Sequence, residues 1–416
     1  TESDVQRIFD TVVARKNVPN YAYLASMNDI EANGFNLNVP RYVSAVKREV
    51  PYDLFSVMTG KVSDEEVKAF DAIWKQFPAL RGKLLSKTGS YNIFLNVNLK
   101  DTIFADCDVQ TFLNDFNVIT EEFRKYLVQI LIKHDVVPAI YNEIVEIIFE
   151  KYKNKPLVNI YSVFQAFVNN WEIVDADIVR LEAEGWSICT ETEPNMITKK
   201  DSKTKKTVEE QKGWKGKIIP FDLVKEVFYK VDFEKMNILT SEADTEASEY
   251  NAIWENLEDE AKSIVCKDND ETAFDTKKFK SAIQSGSIDV DTIESINAIQ
   301  KSLAKEKALR KKVKEIAAEL DDKAKKKIES LSESEIYNLL EQKWISPIIL
   351  SINKVGEGIF TQFAFDFEAL EKKYSNPMFE ISEKIAITNS ELKTSLNELT
   401  GNDIDMSAVK MLLEEL

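Results

Sequence analysis

From Asp291 to Leu331 the chain carries almost no turn-forming residue, and a run of that length and charge is compatible only with long helix. A helical hairpin folding near Leu320–Lys323 is the compact arrangement it suggests. Eleven glycines in 416 residues, against an average usage of about 7%, extend the argument to the whole molecule: long helices joined by few tight turns. Helical period recurs accordingly. Val5, Ile8, Phe9, Val12 and Val13 form one apolar face, and Phe123, Tyr126, Leu127, Ile130 and Leu131 another. Ile140–Lys151 and Ile160–Trp171 repeat the pattern, and Ser63 with Glu66 has the spacing of a capping box at the head of a further helix. After Gly34, Pro40 keeps FNLNVPRYV from being mid-helix, so that segment reads as extended structure with a turn. Only TGSYNIFLNVN near Thr88 and WSICTETE near Trp186 alternate as short strands do. The predicted fold is mainly α: many helices, several of them long and charged, with a few short strands or hairpins.

Composition narrows the function. The formal charge of −17 and a pI near 4.9 set the molecule as a whole against nucleic acid and acidic membranes, so such contacts require local basic patches. Cys107, Cys189 and Cys266 are odd in number and far apart, which indicates neither a disulfide framework nor a cysteine zinc site and suits a reducing cytoplasm. No segment approaches the roughly 18 to 20 apolar residues of a membrane span, and no signal peptide is visible at Thr1–Arg15. The chain opens at Thr1 directly on a capped helix without an initiator methionine, which predicts an excised piece of a longer protein.

Motifs that carry chemistry are missing. No GxxxxGK[ST] phosphate loop occurs, and the GEG at Gly356–Gly358 reads as a helix-breaking turn because the third glycine of a dinucleotide fingerprint and its preceding strand are absent. DNDETAFDTKKF, from Asp268, would need glycine at Ala273 and a carboxylate at Phe279 to hold calcium, and reads as a solvated loop at a helix start. His134 beside Asp135 lacks a nucleophile, and adjacent helical residues face apart, so a surface or capping role is expected. Asp175 with Asp177, and Asp289 with Asp291, are pairs that high acidity produces by chance. Neither catalytic, cofactor-binding nor metal-binding residues are assigned.

Two basic clusters and one apolar stripe remain. MITKKDSKTKKTVEEQKGWKGK, from Met196, has no apolar period and reads as an exposed hairpin or loop; its Lys203, Lys205, Lys206 and Lys215 are candidates for phosphate contact, as Lys199 and Lys200 are by neighbourhood, with a plain solvated loop as the alternative. Arg310–Lys314 and Lys323–Lys327 alternate with Glu and Asp, which intrahelical ion pairing on an exposed face explains more cheaply than the alternative, a DNA contact. Ile381, Ile385, Leu392, Leu396 and Leu399 form a stripe on a last helix spanning Phe379–Leu399, with Gly401 as its stop and MSAVKMLLEEL as a second amphipathic piece. About five turns is too short for a stable coiled coil, so the stripe needs a partner surface, either elsewhere on this chain or on another.

At Asn36-Leu37-Asn38-Val39-Pro40-Arg41-Tyr42-Val43 the chain resembles the NLN-[IV]-PRYV segment near the end of the methylase region in modification subunits of type I restriction-modification systems, which are N6-adenine DNA methyltransferases. NNWEIVDADIVRLEAEGW, GWKGKIIPFDLVKEVFY, KWISPIILSI and ELTGNDIDM are similar, in the same order, to the helical extension of longer members. The family's S-adenosylmethionine loop and its NPP-[FY] motif, which holds the flipped adenine, do not occur; NKPL at Asn154–Leu157 lacks the second proline and the aromatic residue.

The resemblance therefore implies a C-terminal part without the Rossmann-like catalytic core, not catalytic alone, with S-adenosylmethionine belonging to the parent protein. It implies the specificity and restriction subunits and DNA as partners, with Arg41 and Tyr42 as DNA-contact candidates or as packing against the methylase domain. The organisation it suggests is a methylase-region tail over 1–60, a helical domain over 61–195, a basic loop over 196–218, and a long-helix region over 219–416 ending in an assembly helix. The competing class is a self-contained helical scaffold unrelated to DNA.

Overall fold

The computed structural model describes residues 1–43, 52–95, 98–132, 140–200, 207–258, 262–263, 266–267, 270–274, 278, 281 and 290–415. They form two compact units, one of Thr1–Ile173 with Trp344–Leu416 and one of Val174–Lys343. Helix dominates both, as the period and the scarcity of glycine predict.

In the first unit the order is α1 (Glu2–Ala14), α2 (Met27–Ala32), α3 (Leu54–Thr59), β1 (Val62–Ser63), α4 (Asp64–Val67), α5 (Asp71–Gln76), α6 (Pro78–Leu84), β2 (Leu85–Thr88), β3 (Tyr91–Phe94), α7 (Leu99–Phe104), α8 (Cys107–Ile132), α9 (Ile140–Tyr152) and the start of α10 (Ile160–Glu184). The expected strand region near Thr88 is the β2–β3 hairpin, and β1 joins it to give the antiparallel order β1-β3-β2. Ser63 does cap, accepting from the Glu66 N–H at 3.4 Å. The continuous helix expected beyond it is interrupted by a 3₁₀ turn at Lys68–Phe70, and the buried Glu66 carboxylate accepts from Lys373 at 2.6 Å and from the Tyr374 hydroxyl at 3.0 Å.

The core of this unit is aromatic. A later helix repeats Ile349, Ile352, Gly356, Phe360, Phe363 and Phe367 at three- and four-residue spacing, all buried. Trp74 meets Phe363 and Phe367 with ring centroids 5.3 and 5.6 Å apart, and Phe77 meets Phe360 at 5.4 Å. Each such side chain, taken from water, stabilises the fold by about 1.5–3 kcal/mol.

The second unit continues with β4 (Thr192–Lys200), β5 (Thr207–Gly216), α11 (Phe221–Phe228), α12 (Lys230–Asn256), β6 (Cys266–Lys267), β7 (Asp270–Phe274), α13 (Val290–Ile328) and α14 (Glu333–Leu340). The first unit then resumes with α15 (Ser346–Lys373), α16 (Met378–Asn397) and α17 (Asp403–Glu415). Trp186–Thr190 is a 3₁₀ helix, and extended structure starts only at Thr192, later than the alternation suggests. The long run is one helix: α13 passes through Leu320–Lys323 without turning, since no glycine or proline is there to release the backbone. Its hairpin partner is α12. Contacts rise along one helix as they fall along the other: Asp232 with Lys323 at 3.3 Å, Asp244 with Arg310 at 3.1 Å, Glu246 with Lys305 at 2.7 Å. Ile296 and Ile299 close the far end against Ile253 and Trp254. The pair is antiparallel.

Among the described residues the sheets are small and antiparallel, and no Rossmann-like parallel sheet occurs.

Candidate functional site

None of the residues considered for nucleotide, metal or nucleophilic chemistry forms such a site among the described residues. Gly356 and Gly358 are not a turn: α15 runs straight through both, and Gly356 is buried at a close helix approach. Asp177 is a buried ion-pair partner of Lys343, whose Nζ also donates to the Ile218 carbonyl at 2.6 Å. Burial pushes the neighbouring Cys189 thiol up to about 12, so it is no nucleophile at neutral pH. Among the described residues one group, Asp106, Cys107 and Asp108, has metal-like proximity. Asp106 is already engaged, accepting from Lys83 at 2.7 Å and from the N–H groups of Asp108 and Val109 at 2.9 and 3.3 Å, which makes it the cap of α8. His134, Asp135, Asp268 and Asp289 lie outside the described residues. Ala273, expected in a helix-start loop, stands in β7.

What the described residues present instead is surface. The NLNVPRYV segment has the expected turn, which an extended Asn38 leads into. Gly34 and Phe35 both take positive φ, +63° and +58°, and Val39–Arg41 is one 3₁₀ turn led by Asn38 with Pro40 inside it. The Tyr42 hydroxyl donates to the Asn36 carbonyl at 2.6 Å and its ring stacks on Tyr23 at 6.3 Å, so Tyr42 holds the turn closed. Arg41 stands exposed, with no ion pair or hydrogen bond from its guanidinium among the described residues.

The first helix, α1, opens on a capping box that joins Thr1 and Asp4. Its polar side is tethered: the Ser3 N–H donates to Gln165 at 3.2 Å, the Tyr141 hydroxyl to Glu2 at 3.2 Å, and the Tyr161 hydroxyl to Asp10 at 3.0 Å. Arg7 sits 3.9 Å over the Tyr21 ring. The apolar face therefore points outward, with Val5 67%, Phe9 62% and Val12 67% exposed. Sequence reasoning found this face but not that nothing among the described residues covers it. Leu37 and Val39 of the turn are exposed as well.

The basic segment is a β-hairpin, β4 paired with β5 from Thr192↔Gly216 to Lys200↔Thr207. Lys203, Lys205 and Lys206 lie outside the described residues, as do the side chains of Lys199 and Lys200. At the base the cations are spoken for. Lys215 meets Glu193 at 3.2 Å, and Lys217 meets Glu191 at 2.8 Å and Glu184 at 2.9 Å. Those hydrogen bonds, to Glu191 first and then Glu184, hold the Lys217 ammonium above its usual range. Trp214 takes Lys325 of α13 over its ring at 3.6 Å.

At the other end of the chain, α16 buries no residue. Ile381, Ile385 and Leu392 are 44%, 55% and 43% exposed, and Leu396 is half-buried. The helix stops at Asn397, so Leu399 lies just beyond it, and Gly401 belongs to the link into α17, whose first N–H groups are capped by Asn402. Ile404 and Met411 of α17 are exposed too.

Residues 1–50, which include α1, α2 and the NLNVPRYV turn, match the N-6 DNA methylase family, and this supports an adenine methyltransferase relationship for that segment. No curated protein and no solved structure matches the chain. Among the described residues no helix is long and apolar enough to cross a membrane.

Proposed function

We propose that this chain serves as the non-catalytic C-terminal part of a type I modification subunit. In this reading it binds the specificity subunit, works in a complex that also contains the restriction subunit, and helps enclose DNA for N6-adenine methylation by a methylase core that uses S-adenosylmethionine. The observation that carries the reading is the pairing of the methylase-family match over residues 1–50 with apolar faces left uncovered on α1 and α16. Isolated exposed apolar residues are ordinary, but rows of them on single helix faces mark docking surfaces. In this scheme α1 and the Leu37–Val39 edge meet the methylase core, and α16 with α17 meets the helices of the specificity subunit.

The test is co-purification. Leu392→Asp with Leu399→Asp places two charges in the proposed interface without touching the buried core. Specificity-subunit binding is expected to be lost while circular dichroism and melting of the isolated chain stay nearly unchanged. Retained binding overturns the role of α16.

A further inference from the structure

Apart from Lys301 and Lys312, which lie off both, the cations of α13 fall into two sets. The helix carries eleven Lys and Arg against seven Asp and Glu, a basic element on an acidic molecule. Those on the side facing α12 are paired: Lys305 with Glu246, Arg310 with Asp244 and Glu306, Lys323 with Asp232 and Glu319. Lys327 meets Glu335 of α14. Lys307 and Lys314 are exposed with no hydrogen bond or ion pair from their side chains among the described residues, and Lys311, 79% exposed, reaches Glu315 only at 3.9 Å.

Positions 307, 311, 314 and 325 differ by four, three and eleven residues, spacings that return to the same side of an α-helix. The row is therefore straight, about 27 Å long at about 1.5 Å per residue. At its far end Lys325 lies over Trp214, which is 43% exposed, so the row finishes on an aromatic plate. Asp321 and Asp322, which interrupt the row in sequence, are bound to Lys225 at 2.6 Å and to Lys326 at 2.6 Å and leave it little negative field.

We infer that this flank of α13 is a contact surface for the phosphate backbone of double-stranded DNA, with Lys307, Lys311 and Lys314 as its cations. A straight rigid row of ammonium groups suits a rigid polyanion, and such contacts position without reading sequence. An acidic membrane is the poorer fit, because an interfacial helix needs large apolar residues beside its lysines, and the outward residues here are Ala304, Ala308 and Ala318. The inference rests on the DNA-directed reading above, and it gives that reading a surface.

The experiment is fluorescence anisotropy of the full chain with a mixed-sequence 30-base-pair duplex over a salt series. The variant Lys307→Gln, Lys311→Gln, Lys314→Gln is compared with a control, Lys75→Gln, Lys100→Gln, Lys153→Gln, that removes equal charge elsewhere and, like the row variant, leaves α16 unchanged. The row variant is expected to bind at least about tenfold more weakly at low salt. Its slope of log affinity against log salt is expected to shrink by about 0.9 for each phosphate no longer neutralised, roughly 2.7 for all three. The control is expected to keep most of the slope. Wild-type chain that does not bind the duplex at low salt, or row and control variants with equal slopes, overturns the inference. So does a row variant that no longer binds phosphatidylserine vesicles while retaining DNA. Because α16 is untouched, specificity-subunit binding reports separately on the assembly proposal.

Discussion

Gly356 of α15 lies against the ring of Phe116 on α8 so closely that a Cβ at 356 would stand 2.9 Å from the Phe116 Cδ1. Two residues on, at Gly358, a Cβ would meet nothing within 4 Å. The two glycines share a helix and should respond oppositely to the same change. Alanine gains about 1 kcal/mol over glycine in a helix interior, whereas overpacking costs about 1–3 kcal/mol. Gly358→Ala is expected to raise the melting temperature and Gly356→Ala to lower it. If both raise it, the α8–α15 contact yields more easily than the buried Phe116 ring implies.

The buried pair of Lys343 and Asp177 makes a second case, with side chains 14% and 11% exposed. Removing one partner leaves a charge out of water without its counter-ion, at a cost of about 3–5 kcal/mol, while an apolar replacement of both is close to neutral. Asp177→Leu alone should therefore unfold at markedly lower urea than Asp177→Leu with Lys343→Met. Equal midpoints for the single and double variants would show that the pair contributes through something other than its charges.

Glu335 supplies a pH dependence. Its carboxylate accepts from Lys327 at 2.6 Å and closes a capping box with Ser332, and the Lys327 hydrogen bond first, then the Ser332 backbone, lowers its pKa from 4.5 to about 2. A carboxyl depressed on folding stabilises above its unfolded pKa and loses that contribution as pH falls through the folded value. The difference in melting temperature between wild type and Glu335→Gln should be present at pH 7 and should narrow between pH 4.5 and 2. A difference that is constant with pH would remove the charge from the explanation.

The helices were readable because their signals are local: apolar residues at three- and four-residue spacing, a capped start at Thr1 and Ser63 with Glu66, and the absence of glycine and proline across 291–331. The β2–β3 hairpin and the hairpin nature of the basic segment were legible for the same reason. The seam of α13 is also present in the sequence, with Ile296, Ile299, Leu303, Glu306, Arg310, Val313, Ala317, Leu320 and Ala324 alternating three and four apart. Glu306 and Arg310 hide it, because their charges are acceptable there only once Arg310 can reach Asp244 on α12.

Partner choice and coverage were decided by tertiary structure. A period states which face of a helix is apolar but not what will cover it. The same pattern is therefore buried in α8, folded against a distant helix in α13, and turned outward in α1. Gly356 follows the same rule: alone in sequence it resembles a break, and only the Phe116 ring arriving from α8 makes the missing side chain a packing requirement. Local hydrogen bonds and propensities depend on neighbours in the chain, whereas burial depends on residues hundreds of positions away, and a single sequence encodes the first directly and the second only through the completed fold.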